Sequence, residues 1–178
     1  MRKSMISTRT LNPTRGALLA MAWLVCALLP APARAAPDVT GTWMTDDEDG
    51  AVLIEPCGEG VCGRIVWLKA ALDENGQPVR DENNKDPGQR GRPMCGLAIL
   101  HDVPPKGEGW EGGWVYDPDS GSRYSVSLAR GEGDILLVTG FIGVKALGQT
   151  FQWHRAPAAL PRCDAPAAGK PRPANKGS

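Results

Sequence analysis

The chain has little of the chemistry on which most active sites are built. Its 178 residues include two histidines, His101 and His154, and no Cys-x-x-Cys motif. Nucleophilic triads and thiol-exchange centres depend on such residues, so neither is indicated. The acidic segments do not complete a calcium loop either, because Asp86 stands where that loop requires a glycine. We therefore expect a non-enzymatic protein without a cofactor or a bound metal.

No apolar run reaches the ~20 residues that a membrane-spanning helix requires. The longest run, at 17–29, follows a basic segment and precedes Ala-Arg-Ala at positions 33–35. A basic start, a short apolar centre and small residues at the end are typical of a signal peptide. We predict that residues 1–35 are a signal peptide and that cleavage follows Ala35. The mature protein is then expected to be periplasmic or secreted.

The chain after residue 35 has no excess of basic residues. Five of the 20 Lys and Arg residues, and none of the 20 acidic residues, fall within 1–35, so the mature chain carries 15 positive and 20 negative charges. Nucleic-acid and anionic-membrane partners favour basic patches. We expect no nucleic-acid partner, and nothing in the charge indicates peripheral membrane contact.

Four cysteines remain after cleavage, and an even number in an exported chain indicates two disulfides. Cys57 and Cys62 flank a glycine-rich reversal, as paired residues at the tip of a hairpin do. We predict that these two pair, and that Cys95 pairs with Cys163 and ties the start of the C-terminal tail to the body. Zinc is the less favoured alternative, because structural zinc sites use closely spaced cysteine pairs in duplicate.

Helical periodicity is also missing. After residue 36, short segments of alternating apolar and polar residues are separated by Gly, Pro, Asp and Asn. About eight such segments, mostly joined by hairpin-length turns, predict an all-β fold: a small antiparallel up-and-down β-barrel. We expect the barrel over residues 36–156. Residues 157–178, rich in Ala, Pro and Lys, are predicted to form a disordered tail.

One connection departs from this pattern. Residues 71–92 are long for a turn, charged, and rich in Asn and Asp. Connections of this length in compact domains tend to be lids, binding loops or disordered segments. We interpret 71–92 as a lid over the barrel or, alternatively, as a surface that contacts another protein.

Aromatic residues fall mostly at alternating positions of the predicted strands, with Trp67 expected to share one face with Ile65. Eight-stranded barrels either hold one small ligand or are filled by their own side chains. Alternation is compatible with both arrangements. In the hollow arrangement, the residues that line the interior and form the candidate binding site are Trp67, Trp114, Tyr116, Tyr124 and Trp153.

Several motifs follow one another along the chain. They are the Gly-Thr-Trp at 41–43, the two cysteine segments at 57–68 and 95–100, the Trp- and Tyr-containing segment at 110–124, and the closing segment at 140–155. Together they resemble the bacterial family of exported proteins called domain of unknown function 2147, over residues 39–155. That family has no established activity, so the resemblance implies a class of protein without implying a function.

The chain also resembles lipocalin-like (calycin) barrels. In these barrels a Gly-x-Trp on the first strand packs beneath a basic residue near the end of the last strand, and Trp43 and Arg155 occupy those two places. The resemblance implies that the two close the barrel floor, with the guanidinium stacked on the indole for roughly 0.5–2 kcal/mol. A proline-rich tail replaces the helix that follows the last strand in lipocalins, so the resemblance concerns the barrel and not transport.

Two functions are compatible with these observations. The first is an exported, non-enzymatic binding module whose partner is a small apolar or amphipathic ligand held inside the barrel. The second is an interaction protein of the cell envelope, with a filled core and a working surface on residues 71–92 and on the turn at 131–133. The two differ in whether the barrel contains a cavity.

Overall fold

The computed structural model describes residues 36–163. The predicted signal peptide and its cleavage site lie outside the described residues, and so does the tail beyond Cys163. Nine strands follow one another in the described part, and they are β1 (Gly41–Met44), β2 (Gly50–Cys57), β3 (Gly60–Leu68), β4 (Ala98–Val103), β5 (Pro105–Lys106), β6 (Gly109–Asp117), β7 (Ser122–Arg130), β8 (Ile135–Phe141) and β9 (Gln149–Arg155).

The strands close into an antiparallel barrel. Chain neighbours pair from β1 to β4 and from β6 to β9, β9 pairs with β1, and β4 pairs with β6 across the remaining gap. The two-residue β5 adds a short edge next to β6, so eight strands form the wall. Closure gives every wall strand a hydrogen-bonded neighbour on both sides. The predicted all-β, up-and-down barrel of about eight strands is confirmed.

Helical structure is limited to two short 3₁₀ turns within the described residues, Pro87–Gln89 and Lys145–Leu147. Asp86 caps the first turn by accepting a hydrogen bond from the Gly88 N–H at 2.9 Å. No helix in residues 36–163 is long and apolar enough to cross a membrane.

The floor of the barrel is closed as the lipocalin resemblance implied. The Arg155 guanidinium carbon lies 3.7 Å from the centre of the Trp43 ring, and Trp43 is completely buried. The Trp43 indole N–H donates to the Val39 carbonyl at 2.9 Å, and Arg155 Nη1 donates to the Thr40 carbonyl at 2.8 Å. These bonds fix the indole and the guanidinium in a stacked position.

Both predicted disulfides are confirmed. Cys57–Cys62 joins the ends of β2 and β3 across their turn, and Cys95–Cys163 joins residues 68 positions apart. The Cys163 N–H also donates to the Val66 carbonyl at 2.8 Å. The first residues of the predicted disordered tail, 157–163, are therefore held against the barrel by this second bridge.

Candidate functional site

The barrel interior contains a cavity of about 400 Å³. It opens at the end of the barrel where the β1–β2 and β6–β7 connections lie, opposite the floor formed by Trp43. Its wall is mainly apolar, because inward positions of the strands alternate with outward ones. The apolar wall includes Val52, Ile65, Leu68, Met94, Ile99, Val115, Val138, Phe151 and Trp153.

The mouth of this interior cavity is acidic. Five carboxylates line it, and we call them the acidic rim: Asp46, Asp47, Asp49, Asp117 and Asp119. The carboxyl of Asp119 has a raised pKa, caused by partial desolvation and by the neighbouring carboxylates Asp117, Asp47 and Asp49. The rim carboxylates are therefore close enough to repel one another.

Three of the five aromatic residues predicted to bind a ligand line the interior cavity. Trp153, on β9, is buried beside Phe151, and Tyr124 reaches the cavity from β7. Tyr116, on β6, borders this cavity and also a second one outside it. The alternation of residues along β7 and β9 predicted the positions of Tyr124 and Trp153.

Trp67 lies elsewhere, and the prediction that it shares the interior face with Ile65 is wrong. A β-bulge shifts the β2–β3 register: Ala51 pairs with Trp67, whereas Val52 pairs with Ile65. One extra residue in β3 inverts the alternation beyond it. As a result Ile65 and Leu68, three positions apart, line the cavity, and Trp67 lines neither cavity.

Trp114 also lies outside the interior cavity. Its ring stacks on His101, with the ring centres 3.7 Å apart, and the Arg123 guanidinium lies 4.2 Å from its centre. These residues line a second, outer cavity of about 490 Å³ between residues 84–92 and strands β4, β6 and β7. Trp114 pairs with the exposed Ser125, whereas its neighbour Val115 pairs with Tyr124 and lines the interior cavity, so Trp114 lies on the outward face of β6.

Residues 71–92 do not cover the interior cavity, since none of them lines it. The lid prediction is therefore wrong for this conformation. The segment instead packs beside β6 and the β6–β7 turn, where Asn83 lies so close to Gly121 that a side chain at 121 would collide with the Asn83 carbonyl. A positive φ of 62° at Gly121 also favours glycine.

A buried polar network anchors this segment. Asp81, 1% exposed, accepts hydrogen bonds from the Tyr116 hydroxyl at 2.6 Å and from Asn84 Nδ2 at 2.8 Å. Arg92 completes the network with an ion pair to Asp81 at 2.7 Å. Burial opposes ionisation of Asp81, but the bonds from Tyr116, Arg92 and Asn84 outweigh it and lower the pKa.

The pKa of Tyr116, the hydrogen-bond partner of Asp81, is shifted in the opposite direction. Burial, followed by the hydrogen bond to Asp81, raises the pKa of Tyr116 to about 12. A neutral phenol is thus a hydrogen-bond donor to a buried carboxylate at neutral pH. A lone acid within a polar segment carries no signal of burial, because its partner Tyr116 is 35 positions away.

The barrel is similar to known proteins in two comparisons. A family model described as an uncharacterized protein conserved in bacteria (DUF2147) matches residues 41–155. Among solved structures, protein HP1028 from Helicobacter pylori, described as belonging to the lipocalin family, is similar with a TM-score of 0.57 and 22% identity, over 68% of this chain and 84% of that chain. A likeness at this identity shows the fold. Comparison with curated proteins gave no match.

The matched residues run from the start of β1 to the end of β9. The match therefore covers the whole barrel, including its floor, its interior cavity and the first disulfide. The chain belongs to the bacterial family DUF2147, and its fold is a lipocalin-like β-barrel.

Proposed function

We propose that this protein is an exported binding module that holds a small apolar or amphipathic ligand inside its barrel. The observation that carries the proposal is the interior cavity of about 400 Å³ with an apolar wall and an open mouth. This volume falls within the usual range of small-molecule sites, ~300–1,000 Å³. A filled barrel would leave no such space beside Trp153.

The site has the composition of a small-molecule pocket. Apolar side chains such as Val138 and Phe151 supply contact area, which favours an apolar ligand by ~25 cal/mol for each Å² removed from water. Polar groups stand at the mouth, where the Tyr124 hydroxyl lies 3.4 Å from Ser120 Oγ. An amphipathic ligand would place its chain in the wall region and its polar end at the mouth.

Export is part of the proposal. Two disulfides and the predicted signal peptide support an oxidising compartment, the periplasm or the exterior.

Gly140→Leu tests the proposal. A Cβ at Gly140 would make ordinary van der Waals contacts, 3.8 Å from the Tyr124 Cβ and 4.0 Å from Val115 Cγ1. The added leucine side chain therefore fills the cavity without a backbone clash. We expect a decyl-chain probe, followed by tryptophan fluorescence, to bind the unmodified protein and to bind the variant at least tenfold more weakly.

Ser125→Leu is the matched control, because it adds the same side chain at an exposed position of the neighbouring strand β7. It should bind the probe like the unmodified protein. Equal binding by Gly140→Leu, with both variants folded by circular dichroism, would contradict binding in the interior cavity.

The second candidate function is an envelope interaction protein that acts through residues 71–92. The observation favouring it is that this segment is anchored through Asp81 while Leu72, near its start, is 58% exposed. We then expect a partner that cross-links to the unmodified protein in periplasmic extract to be missing when the Leu72→Ser variant is cross-linked. The control is Leu147→Ser, at another exposed leucine.

A further inference from the structure

We infer that the interior cavity selects amphipathic ligands whose polar end carries a positive charge, such as an alkylammonium. The inference rests on the proposed function, because it names the ligand class of the same cavity. Its basis is the contrast between the apolar inner wall of the cavity and its mouth, where the charged lining residues that the structure describes are all carboxylates.

The inner wall of the cavity is apolar and cannot stabilise a charged group. Trp153 and Val138 lie on its wall, and the floor beyond them is closed by the fully buried Trp43. Burying a charge among such side chains is unfavourable without a partner. A charged end of a ligand must therefore remain at the mouth, where the rim decides which sign is accepted.

The rim is strongly negative. Among the described residues that line the cavity, the charged ones are the five carboxylates of the acidic rim. Among residues 36–163, the cation with an ion pair to the rim is Lys69, whose Nζ lies 3.0 Å from Asp49 Oδ1 in an exposed pair. One exposed ammonium offsets little of the charge of five carboxylates.

Two of the rim carboxylates are held in place by hydrogen bonds within their own turns. Asp47 accepts a hydrogen bond from Thr45 Oγ1 at 2.6 Å, and Asp117 accepts one from the Asp119 N–H at 3.0 Å. The negative groups therefore face the mouth before any ligand arrives, which reduces the ordering cost of binding a cation.

Aromatic rings reinforce the same selectivity. Tyr116 and Tyr124 line the cavity next to the rim residues Asp117 and Asp119. The faces of aromatic rings attract cations, by roughly 0.5–2 kcal/mol. An ammonium at the mouth would relieve the repulsion among the carboxylates, whereas a carboxylate headgroup would add to it.

A matched series of probes tests the inference. Decylamine, 1-decanol and decanoate share one apolar chain and differ in the charge of the headgroup, and each is titrated by calorimetry at neutral pH and low salt. We expect decylamine to bind at least tenfold more tightly than decanol, and decanoate to bind most weakly. The preference should shrink in high salt, because exposed charges are screened.

Asp46→Asn with Asp119→Asn reduces the rim charge without removing hydrogen bonds, because neither side chain accepts one among the described residues. We expect the preference for decylamine over decanol to fall at least fivefold. The control is Glu59→Gln with Glu132→Gln, two exposed acids in turns at the floor end, which should keep the preference.

The possible failures are distinguishable. If no probe binds, the proposed binding function is wrong. If decanol and decylamine bind equally, or if the rim variant keeps the full preference, the cavity binds ligands but the inferred charge selectivity is wrong.

Discussion

Gly41 and Arg155 show how single residues close the floor of the barrel. Gly41 has a φ of 108°, and a Cβ there would collide with Arg155 Nη1. Arg155 cannot retreat without losing its stacking on Trp43 and its bond to the Thr40 carbonyl. The glycine of the Gly-x-Trp motif is therefore required by the position of the arginine as well as by the backbone.

Gly41→Ala should lower the free energy of unfolding by about 2–4 kcal/mol, the sum of backbone strain and collision. Urea unfolding followed by tryptophan fluorescence measures it. Gly133→Ala is the control, because Gly133 also has a positive φ, 63°, but nothing lies near its Cβ position. We expect Gly133→Ala to lower the free energy of unfolding only by the backbone strain, about 1–2 kcal/mol. Equal losses in the two variants would mean that Arg155 does not occupy this space.

At the scale of elements, the two disulfides constrain very different lengths of chain. Cys57–Cys62 spans a separation of 5 residues within one hairpin, whereas Cys95–Cys163 spans 68 and links the start of β4 to the segment after β9. Cross-links that close longer loops remove more entropy from the unfolded chain.

Replacing both cysteines of each bridge by serine tests this difference. We expect Cys95→Ser with Cys163→Ser to lose about 4 kcal/mol of stability and Cys57→Ser with Cys62→Ser to lose about 2 kcal/mol, on the loop-entropy relation. Thermal unfolding of the two variants in parallel measures it. A larger loss from the hairpin bridge would show that native contacts, and not loop length, dominate.

At the scale of the whole molecule, the paired carboxylates set the response to acid. Hydrogen bonds from Lys106 and Lys145 lower the pKa of Glu111 from 4.5 to about 2, and the pKa of Asp81 is also lowered. The unfolded chain therefore takes up protons first as the pH falls. This contribution to stability is complete above the unfolded values and is lost as the pH falls towards about 2.

The melting temperature should consequently decline between about pH 4.5 and pH 2, and circular dichroism measures it. Glu111→Gln should lower the melting temperature near neutral pH and make the acid decline shallower. Stability should also fall in base, because the pKa of Tyr116 is raised from 10.0 to about 12 in the folded protein. The unfolded chain therefore loses this proton first between about pH 10 and pH 12. A melting temperature that is constant from pH 5 to pH 2 would contradict this account.

Much of the fold and part of the site could be predicted from local sequence. Alternation and turn residues indicate strands and hairpins because both depend on near neighbours, and they predicted the interior positions of Tyr124 and Trp153. The floor pair Trp43 and Arg155 was predicted from the family resemblance. Trp67 was misplaced because β3 contains a bulge, and one extra residue reverses the direction of every side chain beyond it. Trp114 was misplaced because it lies on the outward face of β6, and alternation alone does not say which face of a strand points inward.

The sequence by itself determined the all-β class, the strand order along the chain and the cysteines available for pairing, since each follows from residues close together or from simple composition. The tertiary structure decided that a cavity opens into one end of the barrel, that acidic turns from β1–β2 and β6–β7 meet at its mouth, and that residues 71–92 are tied down through Asp81 and Tyr116 instead of covering the cavity. These features depend on register and on contacts between distant residues, which no local pattern specifies.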